Sequence, residues 1–173
     1  MKQYLIPIFI LLAGCNTSVL GNYEERRPVR YDHADEIVTA YSYYGFTETT
    51  NRNQLKELTG IDPVQTEWCA AFVNAILRLE GKEGSESVSE YPLTARSFLQ
   101  WGEEVKEPKS GDIVVFPRGA AWQGHVGFYV RTVKLSGVDN YVILGGNQDD
   151  SVSLEYYPAA KAISIRRRSP QPS

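Results

Sequence analysis

Two cysteines and two histidines occur in the chain, few enough to weigh one at a time. Cys69 lies in "TEWCAAFVNAILRLEG", where it opens an amphipathic segment. His125 lies in "WQGHVGFYV", at the start of a run with strand character. A thiol attacks a carbonyl carbon only as thiolate, and a free cysteine with a pKa of about 8.5 is mostly protonated at neutral pH. A helix N-terminus and a nearby imidazolium both favour the thiolate. His125 supplies the second if its strand packs on the helix that Cys69 opens. A third group must hold the imidazole by its other nitrogen. Asn147 in "LGGNQDD" ends the next strand-like run and is the natural candidate, with Asp149 and Asp150 as rivals. The chemistry within reach of this set is acyl transfer by a nucleophilic thiol. His33, among Asp32, Asp35 and Glu36, reads as a solvated helix end. One cysteine and two scattered histidines make no metal set, and no cofactor is implied.

The elements that must position these residues come in two groups. Asp32 is a suitable cap for a first helix that Gly45 can end, with Ile37, Ala40, Tyr41 and Tyr44 on one face. Asn51 to Leu58 reads as a second, short helix stopped by Gly60, and Asp62-Pro63 breaks the chain. In the third helix Cys69, Val73, Ile76, Leu77 and Glu80 recur at helical spacing, which puts the thiol in line with the apolar stripe. Gly81 stops it, and Pro92 to Trp101 reads as a further short helix. The pattern then changes to β-rich runs: "GDIVVFPRG", "HVGFYVRTV", "NYVILGGNQ", "SVSLEYYP" and "AISIRRR". Helices followed by an antiparallel sheet argue for an α+β fold rather than a wound parallel sheet.

Length and charge bound the rest. A chain of 173 residues with net charge −3 suits a single domain that needs no disulfide staple. The one basic cluster, Arg166-Arg167-Arg168, forms no stripe, so nucleic-acid binding is excluded as a first reading. The start, "MKQYLIPIFILLAGC", has Lys2 before an apolar run too short to span a bilayer. Leu12-Ala13-Gly14-Cys15 resembles a bacterial lipobox. That implies a signal peptide over residues 1–14 and a lipid on Cys15, whose acyl chains anchor firmly at about 0.8 kcal/mol per buried CH₂. Residues 15–31 then form a tether reaching about 20–25 Å, residues 32–168 the domain and 169–173 a tail. Asn16 is not the aspartate that favours retention at the inner membrane, so a periplasm-facing, outer-membrane monomer is expected. With Cys15 alkylated, Cys69 would be a lone thiol in an oxidising compartment. It is then either buried and inert, or its reactivity is used.

The segments "EWCAAFVNAIL", "GDIVVFPRG", "GHVGFYV" and "LGGNQDDSVSL" resemble the CHAP group (cysteine, histidine-dependent amidohydrolases/peptidases) and its NlpC-type relatives, over residues 62–168. The resemblance implies a papain-like fold, with N-terminal helices on a five- or six-stranded antiparallel sheet, and a peptidoglycan amide as substrate. Carried over by position, Cys69 is the nucleophile, His125 the base and acid, and Asn147 the orienting residue. Backbone N–H groups at the helix start would hold the oxyanion, with Gln65 a candidate side-chain donor. Trp68 and Trp122 are candidate substrate contacts, while core packing competes for Trp68 and Trp101. One departure stands out: members often carry proline before the Trp-Cys pair, and this chain has Glu67. Its carboxylate would disfavour the thiolate if aimed at Cys69, or would stabilise the helix N-terminus if not. The alternative function is a non-catalytic lipoprotein that holds muropeptide or a protein partner.

Overall fold

The computed structural model describes residues 34–169. The lipobox with Cys15, the tether, Asp32, His33 and the last residues of the tail lie outside them. Three α-helices, α1 (Asp35–Tyr41), α2 (Arg52–Thr59) and α3 (Cys69–Leu79), precede the strands. The strands are β1 (Glu103–Glu104), β2 (Ile113–Pro117), β3 (Gly124–Leu135), β4 (Val138–Gln148), β5 (Ser151–Pro158) and β6 (Ser164–Arg167). They form one six-stranded sheet in the order β1-β6-β2-β3-β4-β5, antiparallel throughout. This is the α+β architecture expected from helices that come first and strands that follow.

Alternation along the strands sorts the core into two faces. Val115, Val126, Phe128 and Leu144 point to the side that carries α3, with Phe72, Val73 and Ile76 of the helix packed on them. Val114, Phe116, Tyr129, Ile143 and Ile165 gather on the opposite side. The expected stripe on α3 is present, but burial runs almost all round it, from Cys69 to Leu77. Small residues make this possible. Ala70, Ala71 and Ala75 let α1, α2, β3 and β4 close on the helix from several directions. Burying Phe72, Val73, Ile76 and Leu77 stabilises this arrangement by about 1.5–3 kcal/mol for each large side chain.

One aromatic expectation is corrected here and another is decided. α1 has only seven residues, so Tyr44 lies past its end and falls out of the helical period. Ile37 and Ala40 are buried as expected, whereas Tyr41 and Tyr44 stack on each other at 5.2 Å on the exposed side. Of the two readings of Trp68, core packing is the one observed: its exposure is 0%. The indole meets Phe72 edge-on at 6.2 Å and donates Nε1–H to Glu48 Oε2 at 3.2 Å. The cause is Gly146 on β4, where a Cβ would stand 2.5 Å from Trp68 Cζ3 and 2.8 Å from Phe72 Cβ. Without a side chain at that point, the indole and Phe72 pack directly against the strand and the first turn of α3 lies close to the sheet.

Smaller departures have local causes. The short helix expected between Pro92 and Trp101 is a 3₁₀ helix over Ala95–Gln100. Ser97 gives both its N–H and its hydroxyl to Thr94 O, which favours the tighter i→i+3 winding. Two of the three arginines of the basic cluster are spent on the fold. Arg166 donates to the carbonyls of Trp101 and Gly102, and Arg167 forks onto Asp112 at 2.9 and 2.7 Å. No helix among the described residues is long and apolar enough to cross a membrane.

Candidate active site

α3 delivers Cys69 to the sheet at the start of β3. The backbone N–H groups of Val126 and Ala70 face its sulfur, so the thiol lies against the peptide joining His125 to Val126. No side chain caps α3, and its first turn opens on a cleft of about 310 Å³. Cys69, Leu93, Ala95, Arg118 and Trp122 line that cleft. Trp122 is 70% exposed and stands on the wall, where the sequence suggested a contact with substrate. Gln65 is not there. It borders a separate polar groove with Glu48, Thr66 and Asp150, because the chain turns after Asp62-Pro63 and leads it away from the sulfur.

His125 faces Phe116 across the β2–β3 ladder. Its ring stacks on Tyr157 at 5.4 Å, and Tyr157 stacks in turn on Phe116 at 4.5 Å. The imidazole is buried, and its Nε2 lies 3.0 Å from Gln148 Oε1. The tautomer follows from the neighbours. Gln148 Nε2 donates to Ser153 O at 2.7 Å, which leaves the oxygen end of the amide toward His125. An oxygen only accepts, so Nε2 carries the proton and Nδ1 has the lone pair. The Tyr157 hydroxyl, whose pKa burial pushes up to about 12, donates to the same oxygen at 3.3 Å. His125 Nδ1 is buried and has no hydrogen-bond partner among the described residues.

The imidazole is therefore held by Gln148 and not by Asn147. Along β4, Ile143 and the Cβ position of Gly145 face the His125 side; the latter lies 3.4 Å from His125 Nε2. Strict alternation would send Asn147 to the same side. Instead Asn147 takes a left-handed conformation, φ 58°, and the register with β5 slips between Gly145 and Gln148. The bulge shifts the side-chain parity by one residue. Gln148 meets the ring, and Asn147 donates Nδ2–H to Glu67 Oε2 at 2.7 Å. Asp149 and Asp150, also at positive φ, sit in the β4–β5 turn. Asp149 borders the pocket that holds His125, and Asp150 the groove of Gln65. Glu67 is turned to Asn147 and to Arg118, at 3.6 Å, rather than onto the sulfur.

Burial dominates the electrostatics of the pair. It pushes the Cys69 thiol up, against the lowering by the Val126 and Ala70 amides and by Arg118. The depression expected from the helix N-terminus alone is thus overturned, and the resting sulfur is protonated at neutral pH. Burial likewise lowers the His125 pKa to about 4, although the bond to Gln148 acts in the other direction. A neutral thiol and a neutral imidazole result. Between about pH 6.5 and pH 4 the unfolded chain takes up a proton that the folded chain refuses. Stability is therefore full above about 6.5 and falls as the pH drops toward 4, by on the order of 3 kcal/mol from this group. Urea denaturation of the protein and of His125→Phe at pH 7 and pH 4.5 checks this. The substitution should remove a corresponding part of the acid loss.

Gln148, Arg118 and Tyr157 are the residues of this site that sequence reasoning missed. The signal for Gln148 was present, since "GGNQDD" combines two residues without Cβ and three that tolerate positive φ, the makings of a bulge. Residues 61–147 match the family model described as CHAP domain. No curated protein matches the chain.

Proposed function

The chain belongs to the CHAP domain family, and from that premise we propose that it is a cysteine hydrolase of peptidoglycan amide bonds acting through Cys69, His125 and Gln148. The observation that carries the reading is a buried imidazole with Nε2 committed to Gln148 and Nδ1 left with a lone pair, on the residue whose peptide link to Val126 lies against a thiol that lines a cleft. As the sulfur attacks the amide carbonyl, its proton passes to His125 Nδ1. The negative charge on the carbonyl oxygen is met by N–H groups at the uncapped start of α3, including that of Cys69. Gln148 Oε1 and the ring of Tyr157 stabilise the imidazolium. Nδ1–H then protonates the leaving amine, and the C–N bond breaks to leave a thioester. Nδ1 next takes a proton from water, whose oxygen attacks the thioester and frees the carboxylic acid and the thiol.

Incubation of purified sacculi with the protein, followed by mass analysis of the soluble products, tests the reading. New amine and carboxyl ends at one stem-peptide amide are expected, and alkylation of Cys69 with iodoacetamide should prevent them. Intact sacculi with the protein bound to them would support the second reading, a binding lipoprotein, which the raised thiol pKa favours.

The anchoring part of the proposal is a lipid on Cys15 that faces the catalytic domain into the periplasm, with the outer membrane preferred. It is supported by Leu12-Ala13-Gly14-Cys15. Cys15→Ser should move the protein from the membrane to the soluble fraction on ultracentrifugation. Continued sedimentation with membranes would count against it.

A further inference from the structure

Arg118 is the residue shared by two neighbouring pockets. It lines the cleft that holds Cys69 and also the pocket that holds His125 and Gln148. Its side chain is half exposed, and its Nη1 donates to Asn147 O at 3.4 Å. The same Nη1 lies 3.6 Å from Glu67 Oε2, the oxygen that accepts from Asn147 Nδ2 at 2.7 Å. Asn147 is itself 5% exposed. One carboxylate oxygen thus sits where a buried amide and a guanidinium converge, at the rim of the cleft beside the sulfur. The Glu67 side chain is otherwise 76% exposed. An ion pair this open contributes little to stability, and a rotation about its own bonds removes Glu67 into solvent.

We infer that Arg118 and Asn147 form an anion subsite, filled by Glu67 in the free protein and by a carboxylate of the substrate peptide in the complex. The inference rests on the peptide-cleaving reading above and names its specificity. The ligand is a wall peptide with a free carboxylate close to the amide that Cys69 attacks; the same peptide as carboxamide is a poor one. A guanidinium suits the role because it presents parallel donors to a carboxylate and stays charged. The exchange also conserves charge. Glu67 raises and Arg118 lowers the thiol pKa, and an incoming carboxylate replaces the outgoing one against the same guanidinium. The departure of Glu67 before proline-bearing relatives then has a purpose: it shields the cation until a peptide displaces it.

The test uses Cys69→Ala, which binds without turnover, and two probes. One is the muropeptide mixture released by a muramidase from a diaminopimelate-type wall. The other is the same mixture with its carboxylates converted to carboxamides by carbodiimide and ammonia. Calorimetry should show amidation weakening binding about tenfold or more, the usual size for a charge-assisted pair. In Cys69→Ala/Arg118→Gln both probes should bind alike, near the affinity of the amidated probe for Cys69→Ala. Restoring a cation with Arg118→Lys should recover part of the preference. Equal binding of both probes to Cys69→Ala, or a preference that survives Arg118→Gln, overturns the subsite while leaving the hydrolase reading intact. Failure of Cys69→Ala to bind either probe overturns the peptidoglycan reading and the subsite with it.

Discussion

Cys69→Ala is expected to lower the cleavage of purified sacculi by a factor of at least about 10³ and to leave the fold standing. The loss is large because, in the proposed mechanism, the sulfur is the atom that forms the covalent bond. Without it the cleft can only bind the amide and polarise its oxygen at the start of α3. The fold survives for local reasons. Cys69 is the first residue of α3, buried against the sheet, and alanine is the best helix former. Losing one sulfur from a packed site costs about 1 kcal/mol, the scale of a small core truncation. The release of soluble muropeptides and a urea denaturation curve check the two halves of the expectation separately. Wild-type activity in the variant would sink the nucleophile assignment. The buried, protonated thiol adds a kinetic mark. Alkylation of the wild-type protein by iodoacetamide should accelerate as the pH rises above neutrality, instead of reaching its plateau in acid as a preformed thiolate would.

The second large effect separates two neighbouring residues. Gln148→Leu keeps the approximate volume but removes the oxygen that His125 Nε2–H and the Tyr157 hydroxyl both use. The imidazole then loses its tautomer preference and the partner of its charged form. kcat should fall about 10²-fold or more, by analogy with other orienting residues that fix a catalytic imidazole. KM should change little, because Gln148 is buried behind the ring. Asn147→Gly is the contrast. Glycine accepts the φ of 58° at that position, so the bulge persists while the side chain that holds Glu67 is lost. Its effect should fall on KM, with kcat within about tenfold of wild type. Steady-state kinetics on soluble muropeptides distinguishes the two. A collapse of kcat in Asn147→Gly with Gln148→Leu unaffected would return the orienting role to Asn147.

The elements and the place of Cys69 at the start of α3 were legible in the sequence because they are written in local signals. Apolar spacing, Gly stops and β-rich runs are read over a few residues, and α3 begins at Cys69 as the pattern requires. His125 was legible for the same reason, as a polar residue at the head of an apolar strand. The orienting residue was not, because its identity depends on parity. A single left-handed residue in β4 inverts the faces beyond it, and Asn147 and Gln148 are both amides that could have filled the place. The place of Trp68 stayed open between cleft and core for a different reason. Whether an indole beside the nucleophile faces the cleft or the core is decided by Gly146, far along the chain, and such a contact leaves no trace in local periodicity. Glu67 was equally ambiguous until Arg118 and Asn147 were seen beside it.

In the proposed periplasmic setting, the muted state of the sulfur has a consequence for survival. Peroxide and small disulfides react with the ionised form of a cysteine. A thiol that yields its proton only while an acyl carbon is in contact stays inert toward such oxidants between turnovers. On the proposed reading, with Cys15 spent on lipid, Cys69 has no resolving partner with which to repair a sulfenic acid, and its protonated resting state lowers the need for that repair.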